Sequence, residues 1–185
     1  MVGVAREGTS GSAVFSRFPL REETLPAADL YFEAPVARVH APAGDVVVLA
    51  AHSLPPLGVM APVWRDELEA LATLAADVPQ ATPLVMAGDF NASESHPGLR
   101  RLHDEGLRDA HREVGDGPLA TWPSLGTPPI LHIDHVLVRG LGVAHAGSAS
   151  VAGSDHDAVW ASLVLPGHVA APVTARDRRA VGPSW

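Results

Sequence analysis

Residues 83–98 read "PLVMAGDFNASESHPG". A short apolar run, Leu84 to Ala87, is bounded by Pro83 on one side and Gly88 on the other. Such a run reads as a buried strand. It then presents Asp89 and Asn91 two residues apart. If the chain stays extended, these two side chains share one side and Phe90 turns away as packing. Asp and Asn after Gly also form ordinary turns, so the rest of the chain has to decide what the stretch is for.

Upstream, "VVVLAAH" (Val46 to His52) is a second β-branched strand that ends on a polar residue. "APAGD" (Ala41 to Asp45) supplies turn chemistry, and Val36 to His40 alternates apolar and polar positions, which predicts a hairpin. Ala13 to Phe18 reads as a short strand ended by Pro19. Between the two polar-ended strands, Trp64, Leu68, Leu71, Ala75 and Val78 recur at helical spacing behind Pro62, which a first helical turn tolerates. Arg65, Asp66, Glu67 and Glu69 are read on the opposite, solvated face. Downstream, "HPGLRRLHDEG" predicts a short helix around Gly98 to His103. A Gly/Pro-rich loop follows over roughly Gly115 to Pro129. Further strands are expected at Ile133 to Val138, Val143 to Ala146 and Ala158 to Val164. The chain reads as one domain over residues 1–165 and a Pro/Ala/Arg-rich, loosely ordered tail over 166–185. Strands with one long helix imply sheets layered with helices, an α/β or α+β domain.

Composition narrows the function classes. The chain has 185 residues, 46% hydrophobic and 18% charged, which is globular rather than disordered. The net charge is −8, and all 13 basic residues are Arg. No broad basic surface supports nonspecific nucleic-acid binding by electrostatics alone. Arg100, Arg101 and Arg139 are read as solvated. An acidic protein handling phosphate esters needs a cation to offset repulsion. Cysteine is absent, which excludes disulfides and thiolate metal sites. No apolar stretch is long enough to span a bilayer, and the first residues lack the pattern of a signal peptide.

Polar residues recur at strand ends: His52, Asp89 with Asn91, Asp134 inside "LHIDHVLV" (Leu131 to Val138), and Asp155-His156 in "AGSDHDAVW" (Ala152 to Trp160). Taken singly, each reads as a cap or a turn. Asp134 resists that reading, because Ile133, Val136 and Val138 argue for a buried strand and a buried carboxylate needs a cation or a donor. His132, His135 and His156 are the candidate partners. If the strand ends converge, Asp89, Asp134 and Asp155 form a carboxylate cluster that repels itself unless a hard cation or protons intervene. Oxygen donors without Cys favour Mg²⁺, Mn²⁺ or Ca²⁺ over zinc.

The fragments "GSAVFSRFPL", "AAHSLPP", "GDFNAS", "TWPS", "IDHVLV" and "GSDHDAVWASLVL" occur in that order. Over about residues 10 to 165 the chain resembles the endonuclease/exonuclease/phosphatase superfamily, the deoxyribonuclease-I-like metal-dependent phosphohydrolases. The resemblance implies a layered β-sandwich flanked by helices and Mg²⁺- or Mn²⁺-dependent hydrolysis of a phosphate ester. The substrate classes it implies are nucleic acid, a phospholipid head group or an inositol phosphate. His52 resembles the residue that contacts the scissile phosphate and assists proton transfer. Asp89 and Asn91 resemble the pair that orients the attacking water or leaving group and holds a nonbridging oxygen. Asp134 resembles the carboxylate that orients the last catalytic histidine. Asp155 looks like a metal-site carboxylate, with Asp89 as a second, and His156 looks like the base or electrostatic partner at the phosphate. Trp122 sits in a loop that either borders the site or packs over the sheet edge.

The family's Asn-bearing first strand and its Gln-Glu segment, whose Glu is a principal metal ligand, are not found. Glu7 is read in a Gly/Ser-rich lead-in with no strand before it and is not given that role. The expectation is the C-terminal portion of such a domain, with weak ion binding and impaired activity, in a longer parent that carries any membrane anchor upstream. The competing reading is an inactive fragment or an interaction module that keeps the fold. A serine hydrolase is poorly supported: Ser53 follows His52, but no G-x-S-x-G elbow exists.

Overall fold

The computed structural model describes residues 1–4, 6, 10–26, 28–115 and 119–166. Glu7 and the tail expected over 166–185, apart from Pro166, lie outside the described residues, as do residues 116–118 of the expected loop. The strands are β1 (Val2–Val4), β2 (Ser12–Val14), β3 (Leu20–Glu22), β4 (Val36–Ala41), β5 (Gly44–His52), β6 (Leu84–Asp89), β7 (Arg108–Asp109), β8 (Asp134–Arg139), β9 (Gly142–Ser150) and β10 (Asp157–Val164). The α-helices are α1 (Ala61–Asp77), α2 (Pro97–Asp104) and α3 (Ala110–Glu113). No helix among the described residues is long and apolar enough to cross a membrane.

A mixed sheet of six strands runs β3-β4-β5-β6-β8-β7. The pair β5/β6 is parallel, and the other pairs are antiparallel. A parallel pair needs a long crossover, and α1 supplies it. Strand alternation then assigns two faces. Leu84 and Met86 of β6 point into the core shared with Trp64, Leu68, Leu71 and Leu102 of α1 and α2. Val85 of β6, with Val136 and Val138 of β8, points the other way. There the β9/β10 hairpin covers the sheet with Val143, Val159 and Leu163. The result is a sheet with helices on one face and a second, smaller sheet on the other. This is the layered sandwich anticipated from the resemblance.

Three readings of the sequence need correction. Glu67 is 1% exposed; its carboxylate accepts from the backbone N–H of Tyr31 and of Leu54, both at 2.9 Å. Helical spacing put it on the solvated face, but loops that fold over α1 bury it and supply its donors. Arg139 is 5% exposed, not solvated. It donates to the carbonyls of Ala75 and Val78 at 2.9 and 2.7 Å, satisfying groups that the end of α1 leaves open. Finally, a strand does precede Glu7. Val2–Val4 pairs with β2 in an antiparallel hairpin. Three residues around Gly3 carry too little pattern to be recognised. A Cβ on Gly3 would lie 2.5 Å from that of Ala13, so the close pairing itself depends on glycine.

Candidate active site

Register builds the site before any side chain is considered. His52 of β5 pairs with Asp89 of β6, and Asp89 pairs with Asp134 of β8. The last or first residues of three adjacent strands therefore lie side by side. All three share the parity of Val85 and Val136, the face toward the second sheet. That sheet brings His156, immediately before β10, to the same place. Gly88 allows the close approach of β5 and β6 here. Its φ is +141°, and any Cβ would meet the carbonyl oxygen of Ala51 at 2.0 Å.

His156 Nδ1 and Asp134 Oδ2 are 2.9 Å apart. This carboxylate fixes the imidazole tautomer and leaves Nε2 to exchange a proton. Of the three partners proposed for Asp134, His156 is the one the fold selects; His132 and His135 belong to another cluster. Asp89, Asp134 and His156 each offer one donor atom within 4.8 Å of the others. Burial opposes the charged form of His156, but the hydrogen bond and charge of Asp134 outweigh it, and its pKa is raised. Burial and the facing Asp134 carboxylate push Asp89 up to about 6. Burial, then repulsion from His156, lowers His52. The His52 ring stacks on Phe32, centroids 4.6 Å apart.

Asn91 reaches the site by a different route from the extended one expected. Its φ is +47°, so the chain turns at this residue instead of continuing the strand. Its backbone N–H donates to Asp89 Oδ1 at 2.7 Å, and its amide nitrogen donates to Asp89 Oδ2 at 3.0 Å. The same nitrogen donates to Ser53 O at 2.9 Å. The turn and the polar site are one structure, because Asn tolerates the left-handed region. Phe90 is fully buried, as read from the sequence.

Asp155 is not brought into the trio. Its residue is exposed, and its carboxylate accepts from the Trp122 indole at 3.3 Å. The convergence expected of three carboxylates is met by two: in the loop joining β9 to β10, His156 meets Asp134 while the Asp155 carboxylate meets Trp122. Trp122 borders the site: His52, Asp89, Asn91, Trp122, Asp134, Asp155 and His156 all line one cleft of about 890 Å³.

Residues 2–156 match the sequence model of the Endonuclease/Exonuclease/phosphatase family. The chain belongs to that family. Solved structures agree on the fold of this family member. It is similar to an endonuclease/exonuclease/phosphatase from Beutenbergia cavernae, at 26% identity and TM-score 0.58 over 71% of this chain and 39% of that one. It is also similar to D. rerio TDP2 complexed with a single-strand DNA product (13% identity, TM-score 0.57, 79% of this chain and 67% of that one). A third is the mannosyl-6-phosphatase of Bacteroides thetaiotaomicron (19% identity, TM-score 0.54, 74% of this chain and 59% of that one). No match is found among curated proteins. The chain thus spans well under half the length of the Beutenbergia structure.

Sequence reasoning missed a second polar cluster on the opposite side of β8. His135, one residue after Asp134, has Nδ1 2.7 Å from Asp109 Oδ2 and Nε2 2.8 Å from Ala92 O. Asp109 caps α3, accepting from the N–H groups of His111 and Arg112. Asp at the start of "DAHRE" (Asp109 to Glu113) is the usual helix-start signal, and it was available. Its pairing with His135 was not.

Proposed function

We propose that this protein is a divalent-metal-dependent phosphoesterase whose machinery is the Asp134–His156–Asp89 trio with His52 and Asn91. The hydrogen bond from His156 to Asp134, reached from two different sheets, is the observation that carries this reading. Family membership supports the reaction class, and the His52, Asp89, Asn91, Asp134 and His156 side chains lining one cleft suit a charged ester substrate.

The donor set suits a hard cation. Asp89 and Asp134 face each other in register, and burial with mutual repulsion raises Asp89 to about 6. A divalent ion relieves that repulsion. Asp89 and Asp134 would hold it, and oxygen donors favour Mg²⁺ or Mn²⁺. When bound, the ion supplies polarisation of the phosphoryl group. The chain's residues supply the rest. His156, oriented by Asp134, moves a proton at Nε2. His52, held on Phe32 with a lowered pKa, contacts a nonbridging oxygen or passes a proton to the leaving group. Asn91, donating to both oxygens of Asp89 and to Ser53 O, holds the Asp89 carboxylate in place. Trp122 offers a flat apolar wall for whatever the phosphate carries. Phosphodiester hydrolysis needs charge stabilisation on the phosphoryl oxygens and proton transfer to and from the reacting oxygens.

The test is hydrolysis of bis(p-nitrophenyl) phosphate and of p-nitrophenyl phosphate by the full chain with Mg²⁺, Mn²⁺ or EDTA. Turnover that requires the ion and falls in Asp89→Ala supports the reading. Ion-independent turnover, or none under any condition from folded protein, overturns it in favour of a binding module.

A further inference from the structure

We propose that Asp109, His111 and His132 form a second metal site, buried apart from the cleft and suited to a four-coordinate ion of the zinc class. The three residues come from the cap of α3, its first turn and the segment entering β8. One donor atom of each lies within 4.8 Å of the others. Asp109 Oδ1 is 3.7 Å from His111 Nδ1, and Asp109 Oδ2 is 3.9 Å from His132 Nε2. These distances are too long for hydrogen bonds. Each imidazole faces a different oxygen of the carboxylate, at a separation not far above the roughly 3.4 Å between neighbouring ligand atoms around a tetrahedral ion with bonds of about 2.1 Å.

The hydrogen bonding around the trio points inward. His111 Nε2 lies 2.9 Å from Gly147 O, which can only accept. Nε2 therefore donates to that carbonyl, and Nδ1 is the ring nitrogen nearer Asp109. A ligating histidine commonly donates its other N–H to a carbonyl in this way. Asp109 is braced by the N–H groups of His111 and Arg112 and by His135. Burial opposes its charge, but these hydrogen bonds outweigh it and hold its pKa well below the usual carboxylate range.

His132 is the independent observation. Its side chain is 4% exposed, and neither ring nitrogen has a hydrogen-bond partner. A buried imidazole without partners is costly and needs an explanation. Two imidazole nitrogens and one carboxylate oxygen favour zinc over magnesium or calcium. None of the three residues lines the cleft, so this ion is not the one invoked for hydrolysis.

The experiment uses the full chain, stripped with chelator and dialysed against Zn²⁺ or Co²⁺. Expected are one retained equivalent of zinc in the wild type and in Asp89→Asn, a higher Tm with zinc, and the intense visible absorption of four-coordinate Co²⁺. Affinity should fall at least about tenfold in His132→Gln. Three outcomes overturn the site: no retained zinc in the wild type, unchanged zinc in His132→Gln, or zinc lost from Asp89→Asn, which assigns it to the cleft. If His132→Gln does not fold, the wild-type Co²⁺ spectrum decides. Weak six-coordinate absorption rejects the site, and strong four-coordinate absorption supports it.

Discussion

Asp134 and His135 are consecutive residues of one strand, yet they serve two different clusters. Asp134 faces the cleft, where it meets His156 and the carboxylate of Asp89. His135 faces the helices, where it meets Asp109. The two partner carboxylates, Asp89 and Asp109, are both largely withdrawn from water, but they respond in opposite directions. Asp89 is pushed up to about 6, and Asp109 is held well below the usual range. Burial therefore does not set the sign. Asp109 has donors on both oxygens, two backbone N–H groups and an imidazole. Asp89 has Asn91 alone among its hydrogen-bond partners in the site and faces a second carboxylate. The Asp109 carboxylate is satisfied by its donors, whereas the Asp89 carboxylate is left electrostatically strained, as groups at functional sites often are.

The contrast can be broken most severely at His156. His156→Ala should reduce Mg²⁺-dependent phosphodiester hydrolysis by about 10²–10⁴-fold, while costing less stability than the change on the other side of the strand. A variant that keeps wild-type turnover removes the cleft cluster from the chemistry. On the other side, Asp109→Ala should cost about 3–5 kcal/mol of stability, because it leaves a buried histidine without its counter-charge. Urea denaturation measures this, and a loss below about 1 kcal/mol would erase the distinction between the clusters.

Asp89→Asn should do the reverse of Asp109→Ala. A carboxyl whose folded pKa is raised is penalised as pH climbs from its unfolded value, near 3.9, through about 6. The penalty is absent below that window and complete above it. Without divalent ions, Asp89→Asn should therefore gain about 1–2 kcal/mol at pH 8 and nothing near pH 4, while losing hydrolytic activity. Equal stability changes at both pH values would contradict the origin assigned to the shift. The smallest effect is expected far from both clusters. Arg38 meets Glu23 through two hydrogen bonds, at 2.9 and 3.0 Å, but the pair sits near the surface. Its hydrogen bond to Arg38 lowers Glu23, so the contribution is present at neutral pH and lost as pH falls through that lowered value. Glu23→Gln should cost no more than about 1 kcal/mol, a reference against which the buried changes can be judged.

Much of the frame was legible from local pattern. "VVVLAAH" and "PLVMAG" announced core strands, and the Trp64-to-Val78 periodicity announced the amphipathic helix between them. The positions His52, Asp89, Asn91, Asp134 and His156 stood out because each is polar where an apolar strand ends or should continue. The errors share a cause. Glu67 was assigned by helical spacing, Arg139 by its charge and Asp155 by the family resemblance, but each is placed by a distant segment: loops over α1, the end of α1, and the Trp122 loop.

The longer core strands, their apolar faces and the polar residues at their ends follow from period and residue type within a few positions, so the chain alone reveals them. Which residues meet is set by long-range packing. Strand register set Asp89 beside Asp134, and the second sheet delivered His156 in place of His132 or His135. The turn at Asn91 joined amide to carboxylate, and the docking of α3 drew Asp109, His111 and His132 into one buried group. Those pairings join residues far apart in the chain, and no local pattern encodes a distance across strands.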